Sequence, residues 1–445
     1  MIPRPIRFLA AGLLLLAGAC GPGADTSPAH ARNDEAEDEA RIRVSFVAEP
    51  PAPAPLTPAE VALQKKLEDG AVADRPTHRV VFRTGRVAEG RLVTETESSI
   101  RLREGFGYSG FTITPYKRAD IAGIEALPAA DYTVTPSDVR LAAEFSQFHF
   151  VKAPPYSIVT DESFGDVQKI LTHLTTLREQ FEKTFATILS PRARPRDIQV
   201  IFFGREDGFR RYAQRTAPAL AGSAGFYATR DNRLALLNQL GSSHFRSATD
   251  RLASRQREFS DAGDLDPHAV YEIKGRIVAA RADITSEAKA MTERVIRHEG
   301  AHQLFYCFGV HSRFGLEPTW LVEGLAEYCE PAEIGRWHAA LAQRVAKARD
   351  TKTLLPLEKL LNHQNAAGFF ALGADQAEIA YAQSWSLVYF LMEDEHRPAF
   401  LDLIRTYRDG NPNHPVTDHA GLLCKTARTD LAALDADWRR FIARL

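Results

Sequence analysis

The stretch Arg297-His298-Glu299-Gly300-Ala301-His302 constrains this chain more than any other. Two histidines four residues apart lie on one face about a turn apart, close enough to meet one ion, when the segment is α-helical. The flanking residues Val295, Ile296, Leu304 and Phe305 are apolar, so this helix, expected from about Ser286 to Phe308, is expected to be packed rather than solvated. A packed face carrying two imidazoles needs something to satisfy them. Further on, Trp320-Leu321-Val322-Glu323-Gly324-Leu325-Ala326-Glu327-Tyr328 offers carboxylates from a second helix, bounded by Pro318 and Pro331.

Imidazole pairs at this spacing suit zinc. Glu299 follows the first histidine and is rotated off their common face, so it can hold a water without ligating the metal. A catalytic zinc takes three protein ligands and keeps one position open. His298, His302 and Glu323 are the expected three. Glu327 lies one turn beyond Glu323 and is expected to accept the remaining ring N–H of His298 or His302. The bland alternative, two solvated histidines on a helix face, sits poorly with the apolar context and with the second acidic segment.

The two segments together resemble those of gluzincin metallopeptidases, in which a glutamate is the third zinc ligand. More narrowly they are similar to bacterial peptidase-MA-like proteins of the uncharacterised DUF1570 type, which carry H-E-x-x-H followed by W-L-x-E-G-x-A-E-Y. Tyr381-Ala382-Gln383-Ser384-Trp385-Ser386-Leu387-Val388-Tyr389-Phe390-Leu391 adds to the likeness, which covers roughly 150 to 445. The resemblance implies an α+β zincin-like fold: a twisted sheet with an edge strand over a cleft, the motif helix beneath, and a helical C-terminal lobe. It implies Zn2+ on His298, His302 and Glu323, with Glu299 as general base and a peptide or protein as substrate. It also implies a tyrosine or histidine from the C-terminal lobe that steadies the oxyanion. Tyr381 is the candidate, Tyr389 its rival, and Tyr306 and His311 have weaker claims. Leu234 to Leu237 is the candidate edge strand for a bound peptide.

The N-terminus carries a targeting pattern. Arg4 and Arg7 precede an apolar run from Phe8 to Ala19, too short for a comfortable permanent span. It ends Leu16-Ala17-Gly18-Ala19-Cys20, which resembles a lipobox with Ala17 where leucine is usual. The expectation is an exported lipoprotein attached to a membrane only through Cys20, with ordinary secretion as the alternative. The four cysteines fit this: Cys20 has its own fate, and Cys307, Cys329 and Cys424 are expected as packed thiols without a Cys307–Cys329 bridge.

Residues 21–77 read as a tether without fixed structure. They hold an acidic run (Asp34, Glu35, Glu37, Asp38, Glu39), a Pro/Ala stretch from Pro50, and one short helix from Pro58 to Leu67 stopped by Asp69-Gly70. Residues 78–127 alternate in short runs separated by turn residues and read as a small all-β barrel of SH3-like or Sm-like type. Gly105-Phe106-Gly107-Tyr108-Ser109-Gly110 is a turn whose aromatics either cover the barrel end or meet a ligand. From 138 to 445 strands and helices mix, with residues 242–284 expected as an inserted helical hairpin. Charge is nearly balanced, 55 basic against 57 acidic residues, so nothing points to nucleic acid as a partner. Two further readings stay open: a non-catalytic envelope binding module with a structural or vestigial zinc, and a zinc hydrolase acting on a non-peptide substrate.

Overall fold

The structure, a computed structural model, describes residues 54–445 apart from 107–109, 128–131, 191–196, 262–266, 313–316, 365–367 and 412. The expected signal segment, Cys20 and residues 21–53 of the expected tether lie outside the described residues, as does the tip of the Gly105–Gly110 turn.

The first described element is a longer helix than the one expected from Pro58 to Leu67. Helix α1 (Pro58–Asp74) opens on a reciprocal cap in which the Thr57 hydroxyl accepts from Glu60 N–H while the Glu60 carboxylate accepts from Thr57 N–H. It runs on through Gly70. An interior glycine costs about 1 kcal/mol. Tertiary attachment offsets this, including a 2.7 Å bond from Gln64 Nε2 to the Val134 carbonyl.

Alternation then builds a sheet. β1 (His78–Phe82), β2 (Val87–Glu95), β3 (Ser99–Phe106), β4 (Gly110–Lys117) and β5 (Ile121–Ala126) pair antiparallel in the order β4-β3-β2-β1-β5. Val80, Phe82, Ile100, Leu102 and Ile121 bury one face as a small separate core.

The second sheet begins with two elements that the sequence pattern hid, α2 (Pro136–Glu144) and β6 (His149–Ala153). β7 (Tyr156–Thr160), α3 (Phe164–Thr184), β8 (Ile198–Phe203), α4 (Glu206–Thr216), β9 (Gly225–Ala228) and β10 (Arg233–Leu237) follow. The strand order is β6-β7-β8-β10-β9, with β7, β8 and β10 parallel and both edges antiparallel. Leu234–Leu237 is therefore an inner strand, and β9 is the edge. The reason is visible in burial: β8 is buried along its whole length and β10 at every position from Leu234, as befits strands covered on both faces. Ile158, Val200, Phe202, Leu234 and Leu236 face α3 and the motif helix. Val159, Ile201, Phe203, Ala235 and Leu237 face α2 and α4. Lys152, in β6, reaches Asp138 of α2 at 2.7 Å, Ser157 of β7 at 2.9 Å and Asp197 at 3.1 Å, tying the outer helix to the sheet.

The expected hairpin is present, but its second arm does not end before the motif. α5 (Ser243–Asp261) is followed by α6 (Pro267–Cys307), a single helix of 41 residues that contains both arm and motif. Pro267 starts it, and no proline follows within it to stop it. The remaining elements are helical: α7 (Thr319–Cys329), α8 (Ala339–Asp350), α9 (Leu357–Leu361), α10 (Ala374–Leu391), α11 (Arg397–Arg408), α12 (His419–Ala427) and α13 (Leu431–Ile442). Between α7 and α8, Gly335 turns the chain at positive φ (81°) and its N–H caps the Tyr328 carbonyl.

Candidate metal centre

Three constraints bring the motif residues together. The last turns of α6 lie under the second sheet, where Gly225 of β9 sits so close that a Cβ there would stand 2.7 Å from Val295 Cγ1. α7 packs against both α6 and α10. At Gly324 a Cβ would stand 2.7 Å from the Ser384 carbonyl oxygen, so only glycine lets α7 and α10 approach this closely. Trp320, Leu321 and Leu325 anchor α7 in the core, which leaves Glu323 and Glu327, one turn apart, directed at α6.

The result is a convergent donor set. His298 Nε2 and His302 Nε2 each lie 3.5 Å from the same oxygen, Glu323 Oε2. The two rings stand nearly perpendicular, 80°, with centroids 5.0 Å apart. One ligand atom from each of the three residues falls within 4.8 Å of the others. His302 is 0% exposed and Glu323 1%. Among the described residues, neither His298 Nε2 nor either nitrogen of His302 makes a hydrogen bond. Buried ring nitrogens are rarely left so. Two nitrogens and a carboxylate oxygen aimed at one point are a donor set that fits zinc.

Electrostatics agree. Burial favours the neutral ring at His302 and lowers its pKa, leaving a lone pair available. Burial acts the same way on His298, but Glu323, Glu327 and Glu299 outweigh it and raise that ring to about 10. Glu323 is held at about 2 against its burial by the two histidines. The pocket thus draws positive charge to the point where the donors meet.

Glu299 stands apart from this set. Its Oε2 accepts a 3.1 Å bond from the Tyr227 backbone N–H of edge strand β9. Burial, with the nearby charge of Glu323, raises its pKa to about 8 even though the Tyr227 N–H favours the carboxylate. Such a group exchanges a proton near neutrality.

Glu327 lies beside His298 rather than His302, with Oε1 3.9 Å from His298 Nδ1. Spacing missed two more residues. Glu330, directly after α7, places Oε2 4.0 Å from the same Nδ1, and its Oε1 is 3.5 Å from His338 Nε2. Burial and the adjacent charge of Glu330 push Glu327 well above the usual carboxylate range. Glu330 is held at about 2 in spite of burial, with His338 the largest opposing influence.

Tyr381 is buried on α10, its ring edge-on to Phe369 at 5.2 Å. Burial and then the charges of Glu323, Glu327 and Glu299 hold its hydroxyl protonated far above the ordinary range. Tyr389 instead packs among Trp337, Trp385, Tyr328 and Phe441. Tyr306 packs at a tilt against Tyr227, and His311 packs on Phe305 with Nδ1 3.7 Å from Glu317 Oε1; neither enters the donor set. Among the described residues Cys307, Cys329 and Cys424 form no disulfide, and Cys307 Sγ donates to Asn232 Oδ1 at 3.3 Å.

The two helices and their side chains thus define a protein with a buried His/His/Glu group able to hold a metal ion. Residues 293–415, about a quarter of the chain, match the model of a family described as protein of unknown function (DUF1570). That span runs from the motif through α7 and α10 into the helical lobe and leaves out both sheets. No curated protein matches the chain.

Proposed function

We propose that this chain is a zinc-dependent metallopeptidase of the cell envelope. The observation that carries this reading is the separation of roles among four buried groups. Three side chains converge on one point, while Glu299, adjacent in sequence, is turned aside and held by an edge-strand amide. A purely structural site has no use for that fourth group.

In this reading His298, His302 and Glu323 hold the ion. Zinc bound there lowers the pKa of a water and polarises a carbonyl. Glu299 takes the proton from the attacking water and delivers it to the leaving nitrogen. The Tyr381 hydroxyl donates to the oxygen that gains charge. β9, the sheet edge nearest the motif, is the strand along which an extended peptide aligns. The antiparallel edge over the motif helix and the helical lobe beyond support a zincin-like domain. For the first sheet, the strand order and the 3-10 turn Arg118–Asp120 before β5 support an SH3-like or Sm-like barrel. The N-terminal pattern supports export and lipid attachment at Cys20.

The burial of every ligand favours a second reading, in which a closed structural zinc stabilises a binding module. A peptide-library digest by zinc-loaded wild type and Glu299→Gln separates the two. Cleavage by wild type, and its loss in Glu299→Gln with zinc content unchanged, is expected. Equal cleavage by both proteins overturns the role of Glu299, and no cleavage by either favours the binding module. Glu323→Ala is expected to lose the metal, and unchanged metal content rejects that ligand.

A further inference from the structure

Beside the three ligands lies a second acidic group, formed by buried Glu327 and partly buried Glu330, and the role of Glu330 in it is not accounted for by the motif. His298 Nδ1, Glu327 and Glu330 bring ligand atoms within 4.8 Å of one another. A second ion there would have to share His298 with the first, through the opposite ring nitrogen. The geometry favours a simpler use of the same atoms. His298 Nδ1 faces two carboxylates at 3.9 and 4.0 Å, and the outer one is backed by His338 Nε2 at 3.5 Å.

His338 is fixed in turn. It is the N-cap of α8, its Nδ1 accepting the Leu341 N–H at 3.3 Å, so Nε2 is free to reach inward. The Trp385 ring lies edge-on to it at 6.2 Å. On the other side, the Arg297 guanidinium donates to the backbone carbonyls of Cys329 and Glu330, which fixes the chain where Glu330 leaves α7. Glu330 is thus held at both backbone and side chain.

We infer that Glu330 and His338 are positioning residues that fix the orientation of the His298 ring through the Glu327–Glu330 pair. They touch neither substrate nor metal. Their effect is to fix the carboxylates that face Nδ1, so that Nε2 stays on the ligand point. Groups behind a ligating histidine typically contribute about 10–100-fold in metal affinity. The inference rests on the metal reading above.

Asparagine separates positioning from packing. His338→Asn keeps a strong N-cap for α8 but removes the ring nitrogen that reaches Glu330. Glu330→Gln removes the charge while keeping the shape. Glu333→Gln, at an exposed residue paired with Arg336, is the control. Zinc affinity would be measured by chelator competition, the cobalt(II) visible spectrum recorded, and metal-free thermal unfolding followed alongside. Both test variants should bind zinc about tenfold more weakly or worse and show an altered cobalt spectrum. Metal-free unfolding of His338→Asn and both metal readouts of the control should match wild type. Wild-type affinity and spectrum in both test variants overturn the inference. So does an affinity loss matched by an equal loss of metal-free stability, which would mark a packing role. A wild-type protein that binds neither ion rejects the metal reading itself, and this inference with it.

Discussion

Glu323 shows how much a single carboxylate can decide. Both ring nitrogens point to one of its oxygens, and it lies at the turn of α7 that Gly324 lets settle on α10. The convergence of His298, His302 and Glu323, with Glu299 and Glu327 beside it, was legible in the sequence, because each sits on a helix whose period converts spacing into direction. Glu330 and His338 were not. Glu330 precedes Pro331, which reads as the start of a loop, and His338 comes back only after the turn at Gly335. Tyr227 was hidden for another reason: it contributes a backbone N–H, which residue identity does not encode. Tyr381 is the residue whose role is most open to test. Tyr381→Phe removes only the hydroxyl, and the expected outcome is a fall in kcat of about 10²–10³ with zinc content unchanged, checked by steady-state kinetics and metal analysis. Wild-type kcat would leave Tyr381 as a packing residue.

Whole elements were read best where burial is one-sided or complete. β7 and β8 announced themselves as apolar runs, whereas β6 carries a lysine in its middle. Nothing local shows that Lys152 is neutralised by Asp138 from α2 and by Asp197. The same limit put the sheet edge one strand away from its place. The β9–β10 hairpin was legible, but which member pairs with β8 depends on contacts distant in sequence. One element junction makes a pH prediction. The Glu206 carboxylate accepts from the Ser243 N–H at the start of α5 and from Arg210 Nε at 2.9 Å. Burial raises its pKa, but these contacts together hold it below the usual range. A depressed carboxylate stabilises the fold above its unfolded value, about 4.3, and that stability is lost as pH falls toward the folded value. Thermal unfolding followed from pH 6 down to about 3 should therefore show a smaller acid-side decline in Glu206→Gln than in wild type. An identical decline would rule out this junction as a source.

On the scale of the whole molecule, a three-layer unit of helices, sheet and helices carries the candidate centre on its motif-helix side, with a small antiparallel sheet attached upstream. Composition and strand alternation made those two units legible. The continuity between hairpin and motif was not, because a break was expected where the chain merely leaves the core. α6 spans about 60 Å at about 1.5 Å per residue. At one end Tyr271 is 79% exposed, and at the other His302 is fully buried. A helix that leans on α5 at one end, where Ile277 is buried and Arg281 reaches Gln256, and lies in a packed core at the other is one covalent rod with two melting behaviours. Amide hydrogen exchange should be fast across the outer arm, upstream of the buried Ala288, and slow by orders of magnitude around His298 to Phe305. Uniform protection along the rod would contradict this. The consequence is mechanical as well as thermal. The outer turns, supported by α5, can open while the end that bears the imidazoles stays packed under the sheet and keeps its register.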